Sequence, residues 1–315
     1  MTRLVAVGAC YLDTILTVQH YPAEDEKLRA SGVSRRRGGN CPNMIEVLQQ
    51  ILDLETLVPN SLVLFAVLPS ASSTATQEIK SSFGPAVDLT HCIYREEFNE
   101  PASSYIIKSR SADSRTIVNY NELPEMTSRE FVTMANEMGD EATWYHFEGR
   151  IPEVTLECVR HLRQHLATAK ISVEVEKPDR TGLQELAAEA DVVFYSKSWA
   201  QGNGYEAPED CLRAQAPLTS KASLLCCTWG HEGASTLELP SFTYRHSPAY
   251  VAKDLQVVDT IGAGDTFIAG MLHGLTCHSH DWTVLHMLGF ANELAGRKVV
   301  QDGFAGLGTL MQHAL

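Results

Sequence analysis

The chain has 315 residues, 44% of them hydrophobic and 20% charged, which suits one large α/β domain with an appended subdomain. A formal net charge of −14, with Arg35-Arg36-Arg37 as the notable basic run, argues against nucleic acid or an anionic membrane as a partner. No stretch of about 18 apolar residues and no basic-then-apolar leader is present, so a soluble, cytoplasmic protein is expected. The eight cysteines are scattered without a Cys-x-x-Cys pair, as expected of reduced thiols.

In chain order, Leu4–Gly8 reads as a short buried strand and is followed by Asp13. Arg37-Gly38-Gly39-Asn40-Cys41-Pro42-Asn43 then leads into a helix over Pro42–Leu54, where Met44, Ile45, Leu48, Ile51 and Leu52 form one apolar stripe. Apolar runs at Leu62–Leu68, Ile171–Val175, Asp191–Tyr195 and Ser223–Thr228 predict further strands, and Pro69–Thr76 reads as a loop. Strands alternating with helices point to a mostly parallel sheet covered on both faces, with ligands at the strand carboxyl ends. Tyr105–Ile107 and Arg115–Tyr120 read as a hairpin joined by Lys108–Ser114. With the stretch from Thr14 to about Arg37, the hairpin is expected to build a small antiparallel lid that excludes water. His161-x-x-x-His165 and Cys277-His278-Ser279-His280 carry metal-ligand residue types, but no second cluster completes a tetrahedral site.

The chemistry concentrates at Asp259-Thr260-Ile261-Gly262-Ala263-Gly264-Asp265-Thr266-Phe267. Leu255, Val257 and Val258 before it read as the end of a buried strand; Phe267, Ile268, Met271, Leu272 and Leu275 after it repeat at helical spacing. Glycines 262 and 264 admit a ligand close to the backbone, and the amides opening the helix favour an anion. Asp265 is then placed to accept a proton from a substrate hydroxyl, which suggests phosphoryl transfer to an alcohol. A plain helix cap would use the same tetrapeptide. Asp13, Asn40 and Asn43 suit sugar hydroxyls, which both donate and accept; a turn at Asn40 and a helix cap at Asn43 are the competing reading.

The string around Asp265 resembles the C-terminal signature of the ribokinase-like (PfkB) carbohydrate kinases. The resemblance extends to Gly38-Gly39-Asn40 and, in order along the chain, to five further segments, Tyr21–Asp25, Asp113–Ile117, His146–Arg150, Ser172–Pro178 and Thr228–Ala234, and is closest to the ketohexokinase branch. It implies a ribokinase-like three-layer α/β/α sandwich over 1–315 with a small antiparallel β lid at about 14–37 and 90–122. It implies Asp265 as base, the Gly262, Ala263 and Gly264 amides as anion hole, and Asp13, Gly38, Gly39, Asn40 and Asn43 at the sugar. Arg115 would reach the nucleotide phosphates, Gly230, His231, Glu232 and Gly233 would line the nucleotide pocket, and Glu148 and Glu176 would meet Mg²⁺ through water. ATP and Mg²⁺ are the implied cofactors, with a monovalent cation such as K⁺ as a further one, and a homodimer through the lid is the implied assembly. Fructose phosphorylated at its 1-hydroxyl is the implied reaction. Another sugar, a nucleoside, or a non-catalytic sugar-binding regulator are the alternatives. The chain departs from the family pattern at Leu68–Gly84, where Pro69-Ser70-Ala71-Ser72-Ser73-Thr74 stands in place of a glycine-bearing segment, and at His231 and Ile268.

Overall fold

The computed structural model describes residues 3–52, 61–112, 114–250 and 256–314. Strand β1 (Arg3–Val7) leads to β2 (Tyr11–Val18) and β3 (Gly32–Gly38), and the chain returns through helix α1 (Asn40–Leu52). The expected last residues of that helix, Asp53 and Leu54, lie outside the described residues. The chain continues through β4 (Leu62–Phe65), β5 (Val67–Pro69), α2 (Thr74–Ser81), β6 (Val87–Asp88), β7 (Ile93–Arg95) and the hairpin β8 (Ala102–Ser109) and β9 (Ser114–Tyr120). Alternation then sets in: α3 (Ser128–Met138), β10 (Ala142–Glu148), α4 (Pro152–His165), β11 (Lys170–Val175), α5 (Leu183–Ala187) and β12 (Val192–Tyr195). Two helices, α6 (Lys197–Gly202) and α7 (Pro208–Gln215), precede β13 (Leu224–Thr228), β14 (Ala234–Glu238) and β15 (Thr243–Ser247). Helices α8 (Ala263–Cys277), α9 (Val284–Val299) and α10 (Leu307–Met311) complete the described chain.

The large sheet runs β15-β14-β13-β12-β11-β10-β1-β4-β6, parallel from β13 to β6 and antiparallel through β14 and β15. Alternate strand residues bury on opposite faces, which is why these strands read as continuous apolar runs. Leu4, Ala6, Leu62, Leu64 and Phe194 pack with α1, α8 and α9 residues such as Met44, Phe267 and Leu288. Val5, Val7, Phe65, Tyr145 and Val173 pack on the other side with Phe131, Val159 and Leu212. The result is the expected three-layer sandwich. Strand order reverses between β1 and β10, so the connections leaving their carboxyl ends run to opposite faces of the sheet and open a crevice suited to a ligand.

Three sequence expectations are corrected. Residues 256–258 are not in a strand: Val257 and Val258 are 65% and 46% exposed, and Leu255 lies outside the described residues. Apolar side chains there covered a segment that runs along the surface. The stretch expected as a loop over Pro69–Thr76 already contains the start of α2, because the Ser73 hydroxyl accepts from the Thr76 amide at 3.1 Å and caps it. Finally, the four-stranded sheet β3-β2-β8-β9 is mixed, since β2 and β8 run parallel at its centre. Strand β7, from the 90–122 stretch, pairs instead with β5.

Candidate active site

The end of β3 and the start of α1 make one wall. Gly39 has φ +104°, and a Cβ there would drive into the Ala9 carbonyl, so glycine alone lets β3 turn into α1. Gly38 pairs with Tyr11 at the end of β3, and Asn40 opens the helix. The opposite wall is the N-terminus of α8. Gly262 precedes it at φ +78°, where a Cβ would strike the Phe304 ring, and Ala263 begins the helix. Between these walls lies a cavity of about 440 Å³, within the range of small-molecule sites. Asp13, Asn40, Asn43, Arg115, Gly264 and Asp265 all line it, with Ser104 and Ile106 of the small sheet roofing it.

Asp265 sits on the first turn of α8 and is 8% exposed. Its Oδ2 accepts from Asn43 Nδ2 at 2.8 Å, so Asn43 orients the carboxylate rather than simply capping α1. Asn43 is itself held by Arg37, whose Nη1 donates to its Oδ1 at 3.3 Å and whose guanidinium also pairs with Glu46 and stacks 4.5 Å over the Phe83 ring. Burial, against the opposing Asn43 hydrogen bond and with the charges of Glu176 and Glu148 adding to it, pushes Asp265 up to about 7. A carboxyl so tuned both accepts and releases a proton near neutrality. Asp13 is also raised by burial, against hydrogen bonding from Ser104.

The strand carboxyl ends supply the floor. Glu148, at the end of β10, accepts from the Ala9 amide at 3.0 Å, and burial raises its pKa. Glu176 lies just past β11 and receives a 3.4 Å hydrogen bond from Asn40 Nδ2. The sequence reading passed over Glu174, which accepts from the same amide at 2.9 Å. Burial and then the charges of Asp265 and Glu176 push it well above the carboxylate range. Strand alternation was the available signal: 172 and 174 share one side of β11, and Glu176, a candidate from the sequence, continues the same spacing just past its end. Arg150, Arg180, Lys177 and Thr260 also line the cavity without having been singled out.

Arg115 reaches across from β9 and donates to Thr260 Oγ1 at 2.8 Å. Gly230, His231, Glu232 and Gly233 form a 3₁₀ turn and its end after β13; the cavity takes in Thr228 but not these four, and His231 and Glu232 are exposed. His161 stacks on His165 at 4.2 Å and His278 on Trp282 at 4.1 Å. Among the described residues no group of three or more His, Cys, Asp or Glu side chains could hold a metal ion, and no helix is long and apolar enough to cross a membrane. All eight cysteines are free, seven of them buried.

The pfkB family carbohydrate kinase pattern matches residues 1–306. Mouse ketohexokinase is 30% identical over 97% of this chain and 98% of its own. A fructokinase of Rhizobium leguminosarum bv. trifolii is 30% identical over 48% of this chain and 49% of its own. Among solved structures, ribokinase from Giardia lamblia shares the fold with a TM-score of 0.78 at 16% identity, covering 97% of this chain and 95% of that one. With residues of the 38–40, 113–117, 146–150, 172–178 and 259–267 segments on one cavity and the match running through both walls, the chain belongs to the pfkB family of carbohydrate kinases, sugar kinases that use ATP with Mg²⁺.

Proposed function

We propose that this kinase transfers the γ-phosphoryl group of ATP to the 1-hydroxyl of a ketohexose, fructose first, giving fructose 1-phosphate and ADP. The observation that carries the reading is Asp265, buried in the α8 wall of the cavity, bonded to Asn43 and tuned to about 7. In this reading Asp13, Gly38, Gly39, Asn40 and Asn43 anchor the sugar, with the two glycines bringing backbone to it. Asp265 takes the proton of the exposed hydroxyl as its oxygen bonds the γ-phosphorus and the bond to the β-phosphate oxygen breaks. The amides of Gly262, Ala263 and Gly264 hold the charge on the transferring group, since a 15-residue helix stands behind them. Arg115 leaves Thr260 for the phosphates, and Gly230, His231, Glu232 and Gly233 flank the nucleotide.

The residues present fit Mg²⁺: Glu148 and Glu174 are buried carboxyls raised by burial, a state that a nearby divalent cation relieves. Glu148 and Glu176 would hold it through water, and when bound it neutralises phosphate charge. A monovalent cation such as K⁺ is a further requirement in this reading, and the compartment is the cytoplasm. A homodimer through the four-stranded sheet is supported by its outer face, where Leu16, Val33, Tyr105 and Val118 stand exposed side by side. The name of the mouse relative supports the choice of ketohexose. A coupled ADP-release screen across ketoses, aldoses and nucleosides tests the reading: fructose should lead. Efficient turnover of ribose or adenosine beside idle fructose would overturn the substrate, and sugar binding without ADP release would overturn catalysis.

A further inference from the structure

Three cationic side chains under the four-stranded sheet grip three consecutive residues just before the Ile261–Gly264 loop. Lys108 Nζ of β8 donates to the Val258 carbonyl at 3.3 Å, Arg36 Nη1 of β3 to Asp259 Oδ2 at 3.1 Å, and Arg115 of β9 to the Thr260 hydroxyl. They span a cavity of about 460 Å³ bounded by the sheet and residues 257–261, so polar reach rather than close packing joins the two there. Asp259 is the hub of this joint. From behind, the ammonium of Lys298 on α9, a fully buried lysine, donates to Asp259 Oδ2 at 2.8 Å and to its carbonyl at 3.0 Å. From the front, Asp259 Oδ1 accepts from the Ile261 amide at 3.0 Å. Although burial opposes its charge, Lys298 and the Ile261 amide hold the Asp259 carboxyl at about 2, so the hub stays ionised at working pH.

We propose that Arg36, Asp259 and Lys298 are positioning residues that set the backbone of the anion loop at Ile261–Gly264 from the position of the small sheet. A fixed cation on α9 holds one side of the Asp259 carboxylate, the arginine of the sheet pulls on the same oxygen, and the other oxygen carries the geometry to the Ile261 amide. Phosphoryl transfer depends on amides held to fractions of an ångström, so loosening this joint lowers turnover while leaving sugar contacts intact. Arg36 also lies 3.6 Å from Asp302, which orients its guanidinium from the side.

The inference rests on the anion-hole reading given under Proposed function, and the experiment separates the two. Measure kcat, nucleotide KM, sugar Kd and melting temperature for Arg36→Ala, Arg36→Lys and the double variant Asp259→Asn/Lys298→Met. The double variant removes the two buried charges of the hub together and leaves Arg36 paired with Asp302, and so guards against simple misfolding. Arg36→Ala should lower kcat about tenfold and the double variant about a hundredfold, with sugar Kd and melting temperature near wild type. Arg36→Lys should restore most of the rate, because one ammonium can make the single contact to Oδ2. Unchanged kcat in Arg36→Ala and the double variant, or losses that follow sugar affinity and melting temperature, would overturn the positioning role. Asp265→Asn run alongside distinguishes the failures: a dead Asp265→Asn beside a normal Arg36→Ala removes only this inference, whereas a fully active Asp265→Asn removes the reading it rests on.

Discussion

At Asp265, function and stability pull in opposite directions. Its carboxyl is raised from the model-compound 3.8 to about 7, so the folded protein binds a proton that the unfolded chain releases. The sign follows: this group's contribution to stability is fully present below about 3.8 and is lost as pH rises through about 7. Asp265→Asn keeps an oxygen for Asn43 but has no charge to bury. We therefore expect it to melt higher than wild type at pH 8 in the absence of ligands, and the difference to vanish at pH 4. The same variant should bind sugar and nucleotide and lose kcat by on the order of a hundredfold or more. In wild type kcat/KM should fall on the acid side of about pH 7 as the base protonates. Near-normal kcat in Asp265→Asn would take the residue out of the catalytic role. Arg115 gives a second residue-scale test. If its planar fork serves the phosphates, Arg115→Lys should raise the KM for ATP several-fold despite the retained charge, and an unchanged KM would leave it as a tie to Thr260 alone.

At the scale of elements, the site depends on two turns that only glycine can make. Gly262 has φ +78° and faces the Phe304 ring, so Gly262→Ala must both strain the backbone and displace the ring. The expected result is a melting temperature lowered by several degrees and a large fall in kcat, read by calorimetry and steady-state kinetics. Wild-type values for both would show that the loop tolerates another path. Helix α8 also shows what periodicity conveys. Phe267, Ile268, Met271, Leu272 and Leu275 marked it in the sequence; the first four are buried and Leu275 is half-buried. The segment before it misled, because Val257 and Val258 have the apolar branched character of a strand, yet the Val258 amide bonds the Val299 carbonyl at the end of α9 and 256–258 join no strand among the described residues. Likewise the hairpin at Tyr105–Ile107 and Arg115–Tyr120 was legible in the sequence as two strands. The parallel pairing of β2 with β8 was not, because pairing between distant segments leaves no local signal.

For the molecule as a whole, the alternation of strands and helices carried the three layers, and the crevice followed from strand order once β1 was found between β4 and β10. The two facing walls of the cavity were legible because their residues sit in short runs at Gly38–Asn43 and Asp259–Asp265. The carboxylate floor was only half legible: Glu148, Glu174 and Glu176 come together from two strands, and burial, which raises Glu174, is a property of the assembled fold. The outer face of the small sheet makes a further whole-molecule prediction. If the proposed dimer forms through this face, Val33→Glu with Val118→Glu should halve the mass seen by light scattering, since both side chains stand on that exposed face. An unchanged mass would move the interface elsewhere. The central claim concerns which atom receives the phosphoryl group, and phosphorus NMR of the products from fructose and Mg²⁺·ATP tests it most directly. The account predicts fructose 1-phosphate and ADP from wild type and little of either from Asp265→Asn; a 6-phosphate, or no phosphorylated fructose at all, would contradict it.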